Sequence, residues 1–398
     1  MKRLLVIAAG ELQIPVIKKA HELGYYVIAV DGNPNACGLA YADKAIVADI
    51  VAEDEMVAIA KQERIDGVIH PCSEVAMLTM GRINDELGLH GIGRDIAICA
   101  TNKHKMREAF VRYGAPGPQS YCTDNVEECW TLFNKSLLGD AIIKPSRNSG
   151  SRGVAKISKG ITYREFQSLF ERAKEESRDH SVMIEQFIDG PEFSVEIIVW
   201  DRIPHIIAVT DKKTSDVPYF VELGHNQPSC FPSHSIEIIK DAAISGVKAL
   251  QLDNCAAHAE LKLQNGQAYI MEIGARLGGD FISTELTHIS TGIDMVAAAI
   301  NVSLGIEPIL YSTEKGRGVC IRYFCPKSGI LLSIDNTEIL HDPHIYDYNI
   351  YRHIGDKLPE IRSSLDRSGH VIATGCSVQS AIALADRVID TVKFEISD

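Results

Sequence analysis

The chain has 398 residues, 45% of them apolar, and 40 Lys and Arg against 53 Asp and Glu give a formal charge of −13. That length allows two or three domains with their own cores. The acidic balance without a basic block argues against nucleic acid, and the lack of an apolar run of about 18 residues argues against a membrane span.

The first segment, "MKRLLVIAAG", meets Glu11 too early for a signal peptide, so a cytoplasmic protein is expected. Through residue 100, "RLLVIAA", "PVIKKAHELG", "YYVIAVD", "EDEMVAIAKQER" and "DGVIHPC" alternate strand and helix patterns, which predicts a parallel sheet flanked by helices. Ligands of such sheets gather beyond the carboxyl ends of strands, here Gly10-Glu11, Asp31-Gly32-Asn33 and Cys72-Ser73-Glu74. The first turn reads "AAGELQIP" rather than GxGxxG, which argues against a dinucleotide. Ser73 and Glu74 either line a substrate pocket or merely end an element.

From residue 101 the pattern changes. The helix "NKHKMREAFVRYG" and the connector "APGPQSY" lead into "DAIIKP", "GVAKIS", "SVMIEQFI", "FSVEIIVW" and "IPHIIAVTD", read as one antiparallel group crossed by the helix "YREFQSLFERAKEE". An α+β nucleotide-binding domain fits this pattern. After residue 315, "GVCIRYFCP", "GILLSI", "HVIATG" and a final helix suggest a small α+β unit. Ten cysteines, scattered singly without a CxxC pair or zinc spacing, read as buried free thiols.

The stretch "AIIKPSRNSGSRGV" ends a strand in Lys144 and continues as a hydroxyl-rich loop. Gly150 and Gly153 free backbone N–H groups, Ser146, Ser149 and Ser151 add donors, and Lys144 adds a fixed charge. Polyphosphate complements that set; an ordinary surface hairpin is the plainer reading. Lys103 in "TNKHKM" supplies a second cation, and "MIEQFIDGPEFSVE" offers backbone edges from Glu185 through Phe187 and Ile188 to a flat base, with Glu192 placed to accept ribose hydroxyls.

The sharpest local signal is "AHAELKLQNGQAYIMEIGARLGGD", two strand-like runs around Asn265-Gly266. A two-residue turn would send Glu260 and Glu272 to opposite faces, whereas a three-residue turn, Asn265-Gly266-Gln267, sets them directly opposite. The second register is expected. Facing carboxylates repel unless a cation lies between them, and a magnesium ion carrying nucleotide phosphates would serve. Arg276 follows on a loop opened by Gly274, Gly278 and Gly279, suited to a two-pronged grip on a carboxylate or an acyl phosphate.

In this order the parts resemble the ATP-grasp carboxylate-amine ligases, most closely the L-amino-acid ligase branch, over nearly the whole chain. The resemblance implies an α/β and α+β multidomain ATP-grasp fold: an N-terminal parallel α/β domain over 1–100, the grasp domain over 101–312 with a lid around 120–188, and a C-terminal α+β domain over 313–398. It implies ATP held by Lys103, Lys144, Ser149, Ser151, Glu185, Phe187, Ile188 and Glu192, and one or two Mg2+ ions, with Mn2+ as a substitute, on Glu260 and Glu272. Arg276 and His225 become the catalytic pair, His225 through the likeness of the loop "VPYFVELGHNQPS" and Arg276 through "EIGAR", where the family more often shows Glu-Ile-Asn-x-Arg. Ser73, Glu74 and Gly279 complete the expected substrate site.

The implied reaction transfers the ATP γ-phosphoryl group to a carboxylate, and an amine then displaces phosphate. The partners are a small carboxylate and a small amine, with neither nucleic acid nor membrane, and a homodimer is expected by analogy. Purine-biosynthesis or carbamoyl-phosphate chemistry on the same fold is the rival. A non-catalytic nucleotide-binding scaffold is a third reading, which intact Glu260, Glu272 and Arg276 argue against.

Overall fold

The computed structural model describes residues 1–135, 139–148, 152–215, 220–335 and 342–397. Its first sheet contains β1 (Arg3–Ile7), β2 (Tyr26–Asp31), β3 (Lys44–Val47) and β4 (Gly67–Ile69), in the order β3-β2-β1-β4 with all neighbours parallel. β1 reads as a continuous apolar run because both faces are covered. Leu5 and Ile7 enter one core with Met56 and Met80, while Leu4 and Val6 enter another with Ile17, Met295 and Ile300. The second core seats this sheet on the helix Met295–Ser303 and brings the strand ends toward the rest of the chain.

β5 (Ser120–Thr123), β6 (Ala141–Pro145), β7 (Ala155–Ile157) and β8 (Val182–Gln186) form a separate antiparallel sheet, ordered β5-β8-β6-β7. Helix Tyr163–Glu176 starts at a reciprocal cap between Thr162 and Glu165, and buries Phe166 and Phe170 against this sheet.

The remaining strands are β9 (Glu192–Trp200), β10 (Ile203–Thr214), β11 (Glu222–Gln227), β12 (Cys255–Gln264), β13 (Gln267–Gly274), β14 (Gly318–Phe324), β15 (Gly329–Asp335), β16 (Ile345–Ile350), β17 (Lys357–Leu358), β18 (Gly369–Gly375) and β19 (Lys393–Ser397). Eight of them make a central antiparallel sheet in the order β13-β12-β9-β10-β11-β14-β18-β16, and β17-β15-β19 make a small one. Strands after residue 318 thus extend the central sheet.

Three sequence expectations need correction. The strands between 140 and 211 are not one group but divide between two sheets at Asp189-Gly190-Pro191. Gly190 has φ 153°, and a Cβ there would lie 2.1 Å from the Leu263 carbonyl oxygen, so this turn presses against β12. The segment around His225 is strand β11, not loop. All ten thiols are free, but only Cys129, Cys255 and Cys320 are buried; Cys37, Cys230 and Cys376 are exposed, the last two in connectors between a strand and a helix. Among the described residues, no helix is long and apolar enough to cross a membrane.

Candidate active site

The β12–β13 hairpin sets the centre. Asn265 and Gly266 have φ of 52° and 75°, the left-handed values that a tight two-residue turn requires, and Gln264 pairs with Gln267. The three-residue turn expected from the sequence does not form. Glu260 still faces Glu272, because the ladder slips by one residue between Leu261 and Glu260 and leaves Met271 as a bulge. The Met271 carbonyl accepts from Arg107 Nη2 at 2.6 Å, and its side chain lines the same cleft as Glu272.

That cleft lies between the antiparallel sheet β5-β8-β6-β7 and the hairpin and opens to solvent. Lys103, Lys144, Glu185, Phe187, Ile188, Glu192, Glu260 and Glu272 all line it. Ser149 and Ser151, with Gly150, lie outside the described residues. Ser146 does not face the cleft as a donor: its hydroxyl donates to Asp179 at 2.6 Å.

Lys103 opens the helix Lys103–Tyr113, whose cap Asn102 accepts from the Lys105 N–H. Its ammonium donates to Glu272 at 2.8 Å and to the Asn148 carbonyl at 3.0 Å. Burial pulls Lys103 toward the neutral form, but Glu272 and Glu74 outweigh it and raise its affinity for the proton. Lys144 is lowered, first by burial and then by Arg107 and Lys103, although it contacts Glu185. Glu185 also accepts from Arg107 at 2.9 Å; burial opposes its charge, yet the two cations hold its carboxyl below the ordinary range. The N–H groups of Gln186 and Phe187 donate to the carbonyls of Gln119 and Asp140 at 2.8 and 3.0 Å, so these two are not the open backbone edges expected for a base; Phe187 lines the cleft, with Lys156 4.0 Å from its ring centroid.

Sequence reading missed Lys212. It is 2% exposed and reaches Glu192 at 2.7 Å, Glu260 at 2.9 Å and Glu222 at 3.6 Å. His258 was also missed: it pairs with Glu196 and stands 3.6 Å from Glu260. Burial, the largest single effect, lowers it, but the Glu196 and Glu260 carboxylates together outweigh burial and raise it to about 9. Burial likewise disfavours charge on Glu260, and Lys212 and His258 reverse that, taking it well below the ordinary carboxylate range. The alternation His258-x-Glu260 could have revealed the shared face of the histidine; Lys212 depends on strand pairing that sequence does not print.

Arg276 donates to Glu74 at 3.2 Å, which joins the first sheet to this centre. Burial and Glu272 raise Glu74 above its ordinary value in spite of Arg276 and Lys103. Ser73 accepts the Val75 N–H at 3.3 Å, the turn-ending arrangement weighed above. The space beside Gly279 is open, whereas a Cβ at Gly278 would meet His258 Nδ1 at 2.6 Å. Gly274 stands where a Cβ would approach the Arg276 side chain to 3.3 Å, so a larger residue there would crowd the guanidinium. His225 is 1% exposed and shares a face with Lys212, its cross-strand partner.

Among the described residues, no group of three or more His, Cys, Asp and Glu is gathered to hold a metal. The facing pair Glu260 and Glu272 is a hard oxygen donor set that suits Mg2+ if phosphate oxygens complete the shell. Among the described residues, Ser194 Oγ, Arg276 Nε and Arg107 Nη1 are buried without a hydrogen-bond partner, as are polar atoms of Asn84, Arg352 and Ser368, which do not line the cleft.

Residues 139–285 match the ATP-grasp domain family, and residues 322–397 match the L-amino acid ligase C-terminal domain 2. The chain is 27% identical over 269 residues to the alanine–anticapsin ligase of Bacillus subtilis, covering 63% of this chain but only 56% of that ligase. Over its full length it superposes on the L-amino acid ligase of Bacillus licheniformis with a TM-score of 0.84 and 21% identity, covering 99% of that chain. The phosphoribosylglycinamide synthetase of Anaerococcus prevotii superposes with a TM-score of 0.79 and 25% identity over 100% of both chains.

Proposed function

We propose that this chain, an ATP-grasp protein with an L-amino acid ligase C-terminal domain, is an ATP-dependent ligase that joins the carboxylate of an amino acid to an amine through an acyl phosphate. The observation that carries this reading is the convergence of Lys103 and Lys144 with the facing carboxylates Glu260 and Glu272 in one cleft, with the Arg276–Glu74 pair close enough for Glu74 to feel the charges of Glu272 and Lys103.

Each group has a task that its chemistry suits. Phe187 and Ile188 line the base end, and Glu192 accepts ribose hydroxyls. Lys103 and Lys144 neutralise the phosphate oxygens during phosphoryl transfer. Glu260 and Glu272 would hold Mg2+, or Mn2+ in its place, which when bound adds charge neutralisation at the transferring group. For Lys103 to meet a phosphate it must loosen from Glu272, so nucleotide and ion binding are coupled through one ion pair. Arg276 grips an oxygen of the substrate carboxylate, and Glu74 orients Arg276 or meets a substrate ammonium. The incoming amine forms the C–N bond as the C–O bond to phosphate breaks.

Whole-chain likeness to a phosphoribosylglycinamide synthetase favours purine chemistry as a second reading. One screen separates the two. Phosphate release is measured with Mg–ATP over pairs of amino acids, and over phosphoribosyl amine precursors with glycine, followed by product mass. Release that needs two amino acids supports the ligase; release only with the ribosyl amine rejects it.

A further inference from the structure

The central sheet carries a polar track along one face, from Glu272 and Glu260 through Lys212 to His225, and onward to Tyr323 and His370 at its C-terminal end. Past His225 this track holds a group that the reaction above leaves without a task. Asp280 lies 3.2 Å from His225 Nε2 and is gripped by Arg367 through two bonds of 2.7 Å, one to each oxygen. Arg367 is fixed in turn. It donates from Nε to the Ser364 carbonyl at 2.8 Å and lies 3.7 Å from the centroid of the Tyr323 ring.

This grip holds an unfavourable backbone. Asp280 and Phe281 have φ of 53° and 62°, consecutive left-handed residues that are not glycine, and such strain persists where surrounding contacts over-determine it. A carboxylate only accepts, so the His225 nitrogen beside Asp280 is the one that carries hydrogen in the neutral ring. The other nitrogen, Nδ1, is buried and has no hydrogen-bond partner among the described residues. A buried acceptor left open on the active face has the character of a group reserved for a ligand.

We propose that Arg367, from the C-terminal segment, is a positioning residue: by clamping Asp280 it holds His225 with hydrogen on Nε2, leaving Nδ1 to take the proton of the incoming amine. This rests on the ligase reading above. As the amine nitrogen bonds to the acyl carbon, the C–O bond to phosphate breaks with its electron pair on phosphate, and the surplus amine proton passes to Nδ1. It then leaves with phosphate or water, so the ring returns to its starting form.

The test uses the full chain with 15N-labelled histidine, the His225 ring being assigned by its loss in H225Q, and measures amide formed per ADP. At a pH where the ring is neutral, the wild type should show hydrogen on Nε2 and none on Nδ1. Asp280→Asn has the same shape, but the oxygen beside Nε2 is one that Arg367 also holds, so whichever way the amide lies one nitrogen of the fork meets an N–H and the clamp on Nε2 loosens. Hydrogen should therefore appear in part on Nδ1, and amide per ADP should fall by up to about a hundredfold, the scale of a lost general base. Arg367→Lys, which keeps charge without the fork, should recover part of what Arg367→Gln loses. An unchanged ring and ratio in Asp280→Asn and Arg367→Gln overturns the proposal; hydrogen gained on Nδ1 with an unchanged ratio overturns the acceptor role. A wild type that forms no amide with any pair overturns the ligase reading and that acceptor role together, while the ring measurement still decides whether Arg367 positions His225.

Discussion

Lys103, at the start of its helix, donates to Glu272 on β13 at 2.8 Å across 169 positions of sequence. The cation that a phosphate would want and the anion that a divalent ion would want are thus balanced against each other inside the chain. Nucleotide and metal can each take one member of the pair only by releasing the other, which makes their binding mutually favourable.

Glu272→Gln tests this coupling. Glu272 is 23% exposed in its side chain, and the hairpin bulge that carries it is a backbone feature, so the fold should survive. ADP formation should fall by at least about a hundredfold, as for loss of a group that stabilises developing charge. ATP should then bind with little dependence on Mg2+. Titration of a fluorescent nucleotide with and without the ion reads this directly, and an active variant removes Glu272 from the site.

Glu185 should matter more to stability than Lys144 does. Glu185 is 1% exposed and neutralises both Arg107 and Lys144, so Glu185→Gln leaves two buried cations with no anion. A loss of about 3 to 5 kcal/mol is expected, typical of breaking a buried pair from one side. Lys144→Met should cost clearly less, because burial already lowers Lys144 and Arg107 remains to balance Glu185. Thermal unfolding of the two variants side by side checks the order; equal losses would remove Arg107 from the account.

The contrast between these residues and others shows what the sequence made legible. Lys144, Glu260 and Glu272 stand out because each is a charge at the end of, or inside, an apolar run, whereas Lys103 lies in the polar stretch "TNKHKM" and takes its place from the resemblance that orders them all. The facing of Glu260 and Glu272 was anticipated through the wrong turn. A two-residue turn forms, and a bulge at Met271 restores the register, because bulges arise from tertiary demands such as the Arg107 bond to the Met271 carbonyl rather than from local propensity. Lys212 and Arg367 were invisible for a related reason. Their partners lie on strands or loops whose neighbours are set by sheet order, and nothing local in "DKKT" or "LDRSG" announces a buried cation.

Acid sensitivity should trace to His70. It joins the Ile7 carbonyl at 2.9 Å through Nδ1 and accepts the Ala76 N–H through Nε2 at 3.2 Å, so its neutral ring ties β1 to the segment that carries Glu74. Burial lowers it from 6.5 to about 4. The unfolded chain therefore binds a proton between about 4 and 6.5 that the folded chain refuses, and stability rises with pH across that window. The full span corresponds to about 3 kcal/mol. His70→Gln, whose amide both donates and accepts, should flatten that part of the pH profile of the melting temperature; an unaltered slope would place the acid response elsewhere.

Lys212 gives the last and most discriminating prediction. Its ammonium, raised well above its ordinary value, is the internal counter-ion of Glu192, Glu260 and Glu222. Burial opposes that charge, and the three carboxylates more than offset the opposition. Lys212→Met removes the cation and keeps most of the volume, so the carboxylates face one another across an apolar side chain. The variant should be less stable by about 3 to 5 kcal/mol when no divalent ion is present. It should recover more of its melting temperature than the wild type does when Mg2+ or Mn2+ is added without nucleotide, because a divalent ion can then supply the charge that Lys212 no longer does. Turnover should fall even with the ion, since the substitute charge is not tethered at the Lys212 position. Equal responses of the two proteins to the ion would mean that Glu260 is not free to take a metal, and the Glu260 part of the metal site would have to be given up.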